Sequence, residues 1–260
     1  SLVNIPGSSA HVSPPLRHAD WHVWTPTDLI FPFFLFIVGV AMTLSFGRRL
    51  EEDDRRRVHV QVIRRTLIIF GLGLLLSAFP DFRLSALRVA GVLQRIAVVY
   101  LVASLLLLRF SRRALAWITA GVLVGYWAAL ELIPVPGHGA GVLTPEGNLA
   151  AWFDGRFLPG RMWQDTWDPE GLLSTLPAIA TALLGVFTGD WIRSDRERSE
   201  IAAGMFTAGW LAILVGLAWS IWFPLNKNLW TSSYVLFTAG AALEAGQRAG
   251  ALLGQDIGDR

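Results

Sequence analysis

Apolar residues in this chain come in long runs rather than in the one-sided patterns of a soluble core. The runs cover 29–47, 65–78, 91–108, 114–133, 173–192, 201–223 and 229–243, separated by polar or turn-rich segments. A helix needs about 20 residues, at about 1.5 Å each, to cross a hydrocarbon layer of about 30 Å. Each run therefore predicts a transmembrane helix, the short second and seventh being completed by residues 58–62 and 245–251. The pattern predicts an all-α fold, a polytopic transmembrane helix bundle of about seven spans. It forms one domain over residues 1–250, followed by a polar tail at 251–260.

Between the fourth and fifth runs, residues 134–171 break the pattern. Turn signals at Pro134, Pro136, Gly137, Gly139, Pro159 and Gly160, without helical periodicity, predict a long irregular loop. Its five aromatics, Trp152, Phe153, Phe157, Trp163 and Trp167, fit either a lid packed on the bundle or an anchor at the membrane interface.

Composition strengthens the membrane reading. Only 16% of residues are charged against 53% hydrophobic, too little charge to cover a soluble core of that size. The chain has no cysteine, which excludes disulfides and thiolate catalysis. Residues 1–15 lack a basic stretch leading into a short apolar one, so they are not read as a signal peptide.

Charge then orients the bundle. Alternate loops, carrying Arg48, Arg49, Arg55–Arg57, Arg64, Arg65, Arg109, Arg112, Arg113, Arg193, Arg196, Arg198 and Arg248, hold 14 basic residues. The opposite loops hold 6: Arg17, Arg83, Arg88, Arg156, Arg161 and Lys227. Basic short loops stay cytoplasmic, so residues 1–28, 79–90, 134–171 and 224–228 are expected to face outward. This also accounts for the arginines without nucleic acid as a partner. The lipid bilayer is the partner that the composition requires.

The outward segments carry most of the candidate chemistry. Residues 17–39, RHADWHVWTPTDLIFPFFLFIVG, set His18, Asp20, His22 and Asp28 at the entry to the first span. Asp28 is explained by a helix start with Thr25 or Thr27 as cap and Pro26 in the first turn. His18 and His22, four apart, share one face if the segment is helical. They could act on a proton near neutral pH or accept an acyl group. A metal reading would add Asp20, which points elsewhere on a helix, and no metal is expected. Gln94 and Arg95 enter the third span, either facing the bundle to bind an anion or carbonyl or snorkelling outward. Asn226, Lys227 and Asn228 precede the seventh run, and Asp168 and Glu170 precede the fifth. An enzyme, a small-molecule transporter and a non-catalytic scaffold all remain compatible with these residues.

Four blocks in order resemble the heparan-alpha-glucosaminide N-acetyltransferase family and its bacterial relatives. They are residues 17–42, 91–107 (GVLQRIAVVYLVASLLL), 168–189 (DPEGLLSTLPAIATALLGVFTG) and 226–240 (NKNLWTSSYVLFTAG). The resemblance implies a multi-pass acetyltransferase of the bacterial cytoplasmic (inner) membrane. It would take acetyl from cytoplasmic acetyl-CoA and deliver it to the amino group of a glucosamine-type sugar on the other side. It implies His18 as the active histidine and Asn4 as its catalytic companion. Arg95, Gln94 and Lys227 are then expected to contact the coenzyme, and Asp20, His22, Asp168, Glu170, Asn226 and Asn228 the acceptor. A homo-oligomer is a further expected partner. The family pattern also implies a span before Asn4 and further spans after Gly240, so the chain corresponds to an internal portion of that fold. Val23 stands where bacterial relatives often carry glycine.

Overall fold

A computed structural model describes residues 21–22, 24–51, 55–79, 82 and 87–258. Among the described residues it is built from eight α-helices: α1 (Ile30–Glu51), α2 (Arg55–Ala78), α3 (Val92–Arg109), α4 (Arg112–Leu132), α5 (Leu149–Phe157), α6 (Thr175–Ile192), α7 (Arg198–Trp219) and α8 (Ser232–Gly258). Six segments among the described residues, 26–46, 56–78, 92–109, 112–132, 175–192 and 198–219, are long and apolar enough to cross a membrane. The molecule is a polytopic transmembrane helix bundle. The seventh expected span coincides with α8, which is not among the six. Glu244, Gln247 and Arg248 interrupt its apolar run, and the helix continues to Gly258.

Three helix pairs dominate the packing: α1 with α6, α2 with α3, and α7 with α8. The α1–α6 crossing is close because both helices present glycine at the contact. A Cβ on Gly39 would overlap the Ala182 carbonyl oxygen, and one on Gly185 the Phe36 carbonyl oxygen. α6 is central: Ala178, Ala180, Thr181, Ala182, Leu183 and Val186 are fully enclosed. On α2 and α7, by contrast, large apolar residues such as Leu67, Leu72, Leu76, Leu211 and Leu214 stay exposed, as helices facing lipid require.

Because the spans alternate in direction, the start of α1 lies at the same end of the bundle as residues 87–91, 133–174 and 220–231. The long connection differs from its expected irregularity. Asn148 caps α5, its Oδ1 accepting from Ala151 N at 2.7 Å. Leu149, Ala150 and Val135 then pack with Tyr126, Leu130, Phe223 and Leu229, so the connection lies on the bundle as a lid.

Candidate functional site

The chain enters α1 through a 3₁₀ turn, Pro26–Leu29, capped by Thr25. Thr25 N and Oγ1 donate to Asp28 Oδ2 at 3.0 and 3.1 Å. The capping role expected of Asp28 is present, and tertiary contacts are added to it. Lys227 Nζ donates to Asp28 Oδ1 at 3.0 Å, and Tyr234 Oη donates to the Asp28 carbonyl at 2.6 Å. Asp28 is 1% exposed, so the chain's single lysine neutralises a buried carboxylate.

Asn226 makes the second tie to the entry segment. Its Oδ1 accepts from Leu229 N at 2.9 Å, which directs its Nδ2 toward His22 Nδ1 at 3.4 Å. An amide can donate to that ring nitrogen only when the nitrogen is unprotonated. His22 is therefore the neutral tautomer with its proton on Nε2. Partial burial acts in the same direction, holding the imidazole below its ordinary range. Trp21 fastens the other side: its indole Nε1 donates to the Leu143 carbonyl at 2.7 Å, and its ring meets Trp167 edge-on at 4.9 Å. Lid, entry segment and the turn before α8 thus converge on Trp21 and His22.

Arg95 faces the bundle interior and is 2% exposed. Its Nη2 donates to Ser174 Oγ and, at 3.2 Å, to the Gly171 carbonyl, while the guanidinium stands 5.1 Å from the Trp230 ring centroid. Nε and Nη1 are buried without an acceptor among the described residues. Unpaired buried donors of a charged group cost about 1–3 kcal/mol or more, a cost that an incoming carbonyl or anion would remove.

Trp230 itself is held at φ +52°, a region that costs a bulky residue about 1–3 kcal/mol. Its indole donates to Thr181 Oγ1 at 3.1 Å, and its ring packs on Phe31 and Tyr234. Gln94, adjacent in sequence, turns the other way. Its Nε2 donates to Ser77 Oγ at 3.3 Å, and its amide fills space left by Gly73 and Gly91. The structure does not bring Gln94 and Arg95 to a common point.

Asp168 and Glu170 meet Arg88. Arg88 Nε and Nη2 donate to Asp168 Oδ2 and Oδ1 at 2.9 and 2.6 Å, and Nη2 reaches Glu170 Oε2 at 2.5 Å. Trp163 N and Glu170 N complete the Asp168 carboxylate at 2.8 and 2.9 Å. With four donors and 4% exposure, Asp168 holds the lid to Arg88, just before α3. Asn228 is half-buried next to Lys227. His18, Asn4 and Asp20 lie outside the described residues; His18 precedes Trp21 by three positions. Among the described residues no cluster of three metal-ligating side chains occurs.

Asp154, on α5, faces inward from the lid at 1% exposure. Its Oδ1 accepts from Leu172 N and Leu173 N at 2.9 and 3.3 Å. Burial outweighs these bonds and pushes its carboxyl up to about 6. The folded protein therefore holds this proton more tightly than the unfolded chain. Stability is lost as pH rises from about 4 to about 6, and the full cost, roughly 3 kcal/mol at 1.36 kcal/mol per unit, stands above pH 6. Asp154→Asn keeps the acceptor without the charge. Its melting temperature relative to the parent is expected to climb across that window and level off above it. A difference independent of pH would refute the assignment.

The chain can be compared with characterised proteins on this geometry. Residues 9–227 match the family described as heparan-alpha-glucosaminide N-acetyltransferase, catalytic. The human heparan-alpha-glucosaminide N-acetyltransferase is 30% identical over 278 aligned positions, covering 84% of this chain and 42% of that protein. The mouse protein of the same name is 29% identical, again over 84% and 42%. The chain thus spans less than half the length of these relatives. The family match takes in α1 to α7, the lid and the Asn226–Lys227 turn, which supply most of the convergence described above, and the chain belongs to the heparan-alpha-glucosaminide N-acetyltransferase catalytic family.

Proposed function

We propose that this chain carries the catalytic core of a membrane N-acetyltransferase. It would move acetyl from cytoplasmic acetyl-CoA to the amino group of a glucosamine-type sugar on the opposite side of a bacterial cytoplasmic membrane. The observation that carries this reading is Arg95, a buried guanidinium with two nitrogens lacking acceptors among the described residues, in a member of an acetyltransferase family. The thioester carbonyl or a pantetheine amide of the donor would supply the acceptor. A cavity of about 370 Å³ between α1, α2 and α3, lined by Phe34, Phe46, Arg65, Ile96 and Tyr100, supports an approach for that arm. It joins Arg65, toward the arginine-rich end, to Ile96, the neighbour of Arg95.

In this reading the sugar amine attacks the thioester carbon, a C–N bond forms, and the C–S bond breaks. His18 takes the proton released from the nitrogen, and the departing sulfur leaves as thiolate and is reprotonated. The alternative route forms an acetyl–imidazole bond on His18 before the amine attacks. In both, Asn4 would align the carbonyl, and Arg95 would stabilise charge developing on oxygen. His22 and Asn226 would border the acceptor, with Asp168 and Glu170 keeping the lid in position through Arg88. The protein incubated with radiolabelled acetyl-CoA and glucosamine is expected to yield labelled N-acetylglucosamine. Labelled free acetate with no labelled sugar would overturn the proposal.

A further inference from the structure

Arg95 is held through Nη2 alone among its guanidinium nitrogens. That nitrogen donates to Ser174 Oγ and to the Gly171 carbonyl, both in the turn that leads into α6, while Nε and Nη1 are buried without an acceptor among the described residues. Because α3 fixes the other end of the side chain, the direction of the two unpaired nitrogens is set by where residues 171–174 stand. Ser174 is committed to this grip. Its hydroxyl donates to the Gly171 carbonyl at 3.3 Å, and although Ser174 occupies the N-cap of α6 its side chain makes no capping bond.

The same turn is gripped from its other side by the lid. Leu172 N and Leu173 N donate to Asp154 Oδ1 at 2.9 and 3.3 Å, across 18 and 19 positions of chain. Asp154 fits there because residue 171 is glycine: a Cβ on Gly171 would overlap Asp154 Oδ2. The Gly171 carbonyl and the Leu172 N–H belong to one planar peptide group, so Arg95 and Asp154 hold its opposite edges. A displacement of the carboxylate tilts that plane, and the tilt moves the carbonyl to which Arg95 is fastened.

We infer that Asp154 is a positioning residue for Arg95: by accepting from Leu172 N and Leu173 N it fixes the peptide between Gly171 and Leu172, and so aims the two unpaired guanidinium nitrogens at the place where the donor carbonyl binds. This rests on the reading of Arg95 as the group that meets that carbonyl, and the experiment separates the two. The acceptor oxygen performs the role rather than the charge, since an amide oxygen at position 154 can accept the same two bonds. Kinetics would be measured on the whole chain in nanodiscs. Asp154→Ala, and Gly171→Ala, whose Cβ pushes the carboxylate off the turn, are expected to lower kcat for acetyl transfer about 10- to 100-fold, the range for a misaimed group. KM for glucosamine should be unchanged in both, and Asp154→Asn should keep the parental kcat. On an Arg95→Gln background Asp154→Ala should cost less than about twofold, because the group it aims is gone. A full Asp154→Ala loss on that background, or an Asp154→Asn loss as large as that of Asp154→Ala, would overturn the assignment.

The Nε–H resonance of Arg95 gives a reading that needs no substrate. In protein carrying nitrogen-labelled arginine it is identified by its disappearance in Arg95→Gln. The Trp230 ring, 5.1 Å from the guanidinium, makes its frequency sensitive to small displacements. The resonance should move in Asp154→Ala and Gly171→Ala and hold in Asp154→Asn. That pattern in a protein that transfers no acetyl would retain the positioning of Arg95 by Asp154 and refute the transferase reading. Acetyl transfer with a resonance unmoved by Asp154→Ala would do the reverse.

Discussion

Acetyl transfer to glucosamine is expected to fall by at least about 10²-fold in His18→Ala, the range for loss of a general base, with melting temperature unchanged. An ammonium has no lone pair to attack a thioester, so a base that removes its proton acts on the chemical step and lowers kcat. His22→Ala should behave differently. The neutral His22 ring accepts from Asn226 and presents Nε2–H, a group suited to contacting the acceptor, so its loss is expected to raise KM for the sugar with a smaller effect on kcat. Steady-state kinetics on both variants checks this division. Retained parental turnover in His18→Ala would remove it from the mechanism, and a collapse of kcat in His22→Ala alone would transfer the role to that residue.

The largest effect on stability is expected at Lys227. Removing one partner of a buried ion pair leaves the other charged without compensation, which costs about 3–5 kcal/mol. Lys227→Met should fall near the lower end, roughly 2–4 kcal/mol, because Thr25 N and Oγ1 continue to bond Asp28 Oδ2. Adding Asp28→Asn to Lys227→Met removes the stranded charge while keeping a capping oxygen, and most of the lost stability should return. The coupling is read from thermal unfolding of the parent, both single variants and the double variant. Additive effects of the two substitutions would show that the ion pair contributes no coupling. Since the pair joins the turn before α8 to the entry of α1, its loss should also slow acetyl transfer by displacing the His22–Asn226 contact.

Long-period features were legible in the sequence, and contacts between distant segments were not. The apolar runs announced the spans because each is decided within one stretch of chain. Asp28 was similarly readable, since Thr25, Pro26 and Asp28 form a local cap. Arg95 was ambiguous because its partners, Gly171, Ser174 and Trp230, lie far along the chain, and only packing decides whether an arginine near a helix start turns inward or outward. Asp168 and Glu170 read as ligands for a substrate, whereas Arg88, 80 and 82 positions away, occupies both. Nothing in the local sequence announces that pairing. α5 did leave a signal: Asn148 is a good cap and Leu149–Phe157 carries helix-compatible residues, but the surrounding prolines and glycines obscured it. Asp154 was missed with it, because a carboxylate on an apparently irregular loop gives no sign of burial.

The glycine crossing of α1 and α6 has a mechanical consequence. Helices whose backbones touch cannot separate slightly or roll over one another without collision, so α1 and α6 behave as one beam running through the protein. α2 is held far more by α3 than by that beam, and the cavity lined by Phe34, Phe46, Arg65 and Tyr100 lies between α1 and the α2–α3 pair. Any widening of that cavity therefore falls to α2, moving as a door against a fixed post. Gly39 and Gly185 are what keep the post rigid.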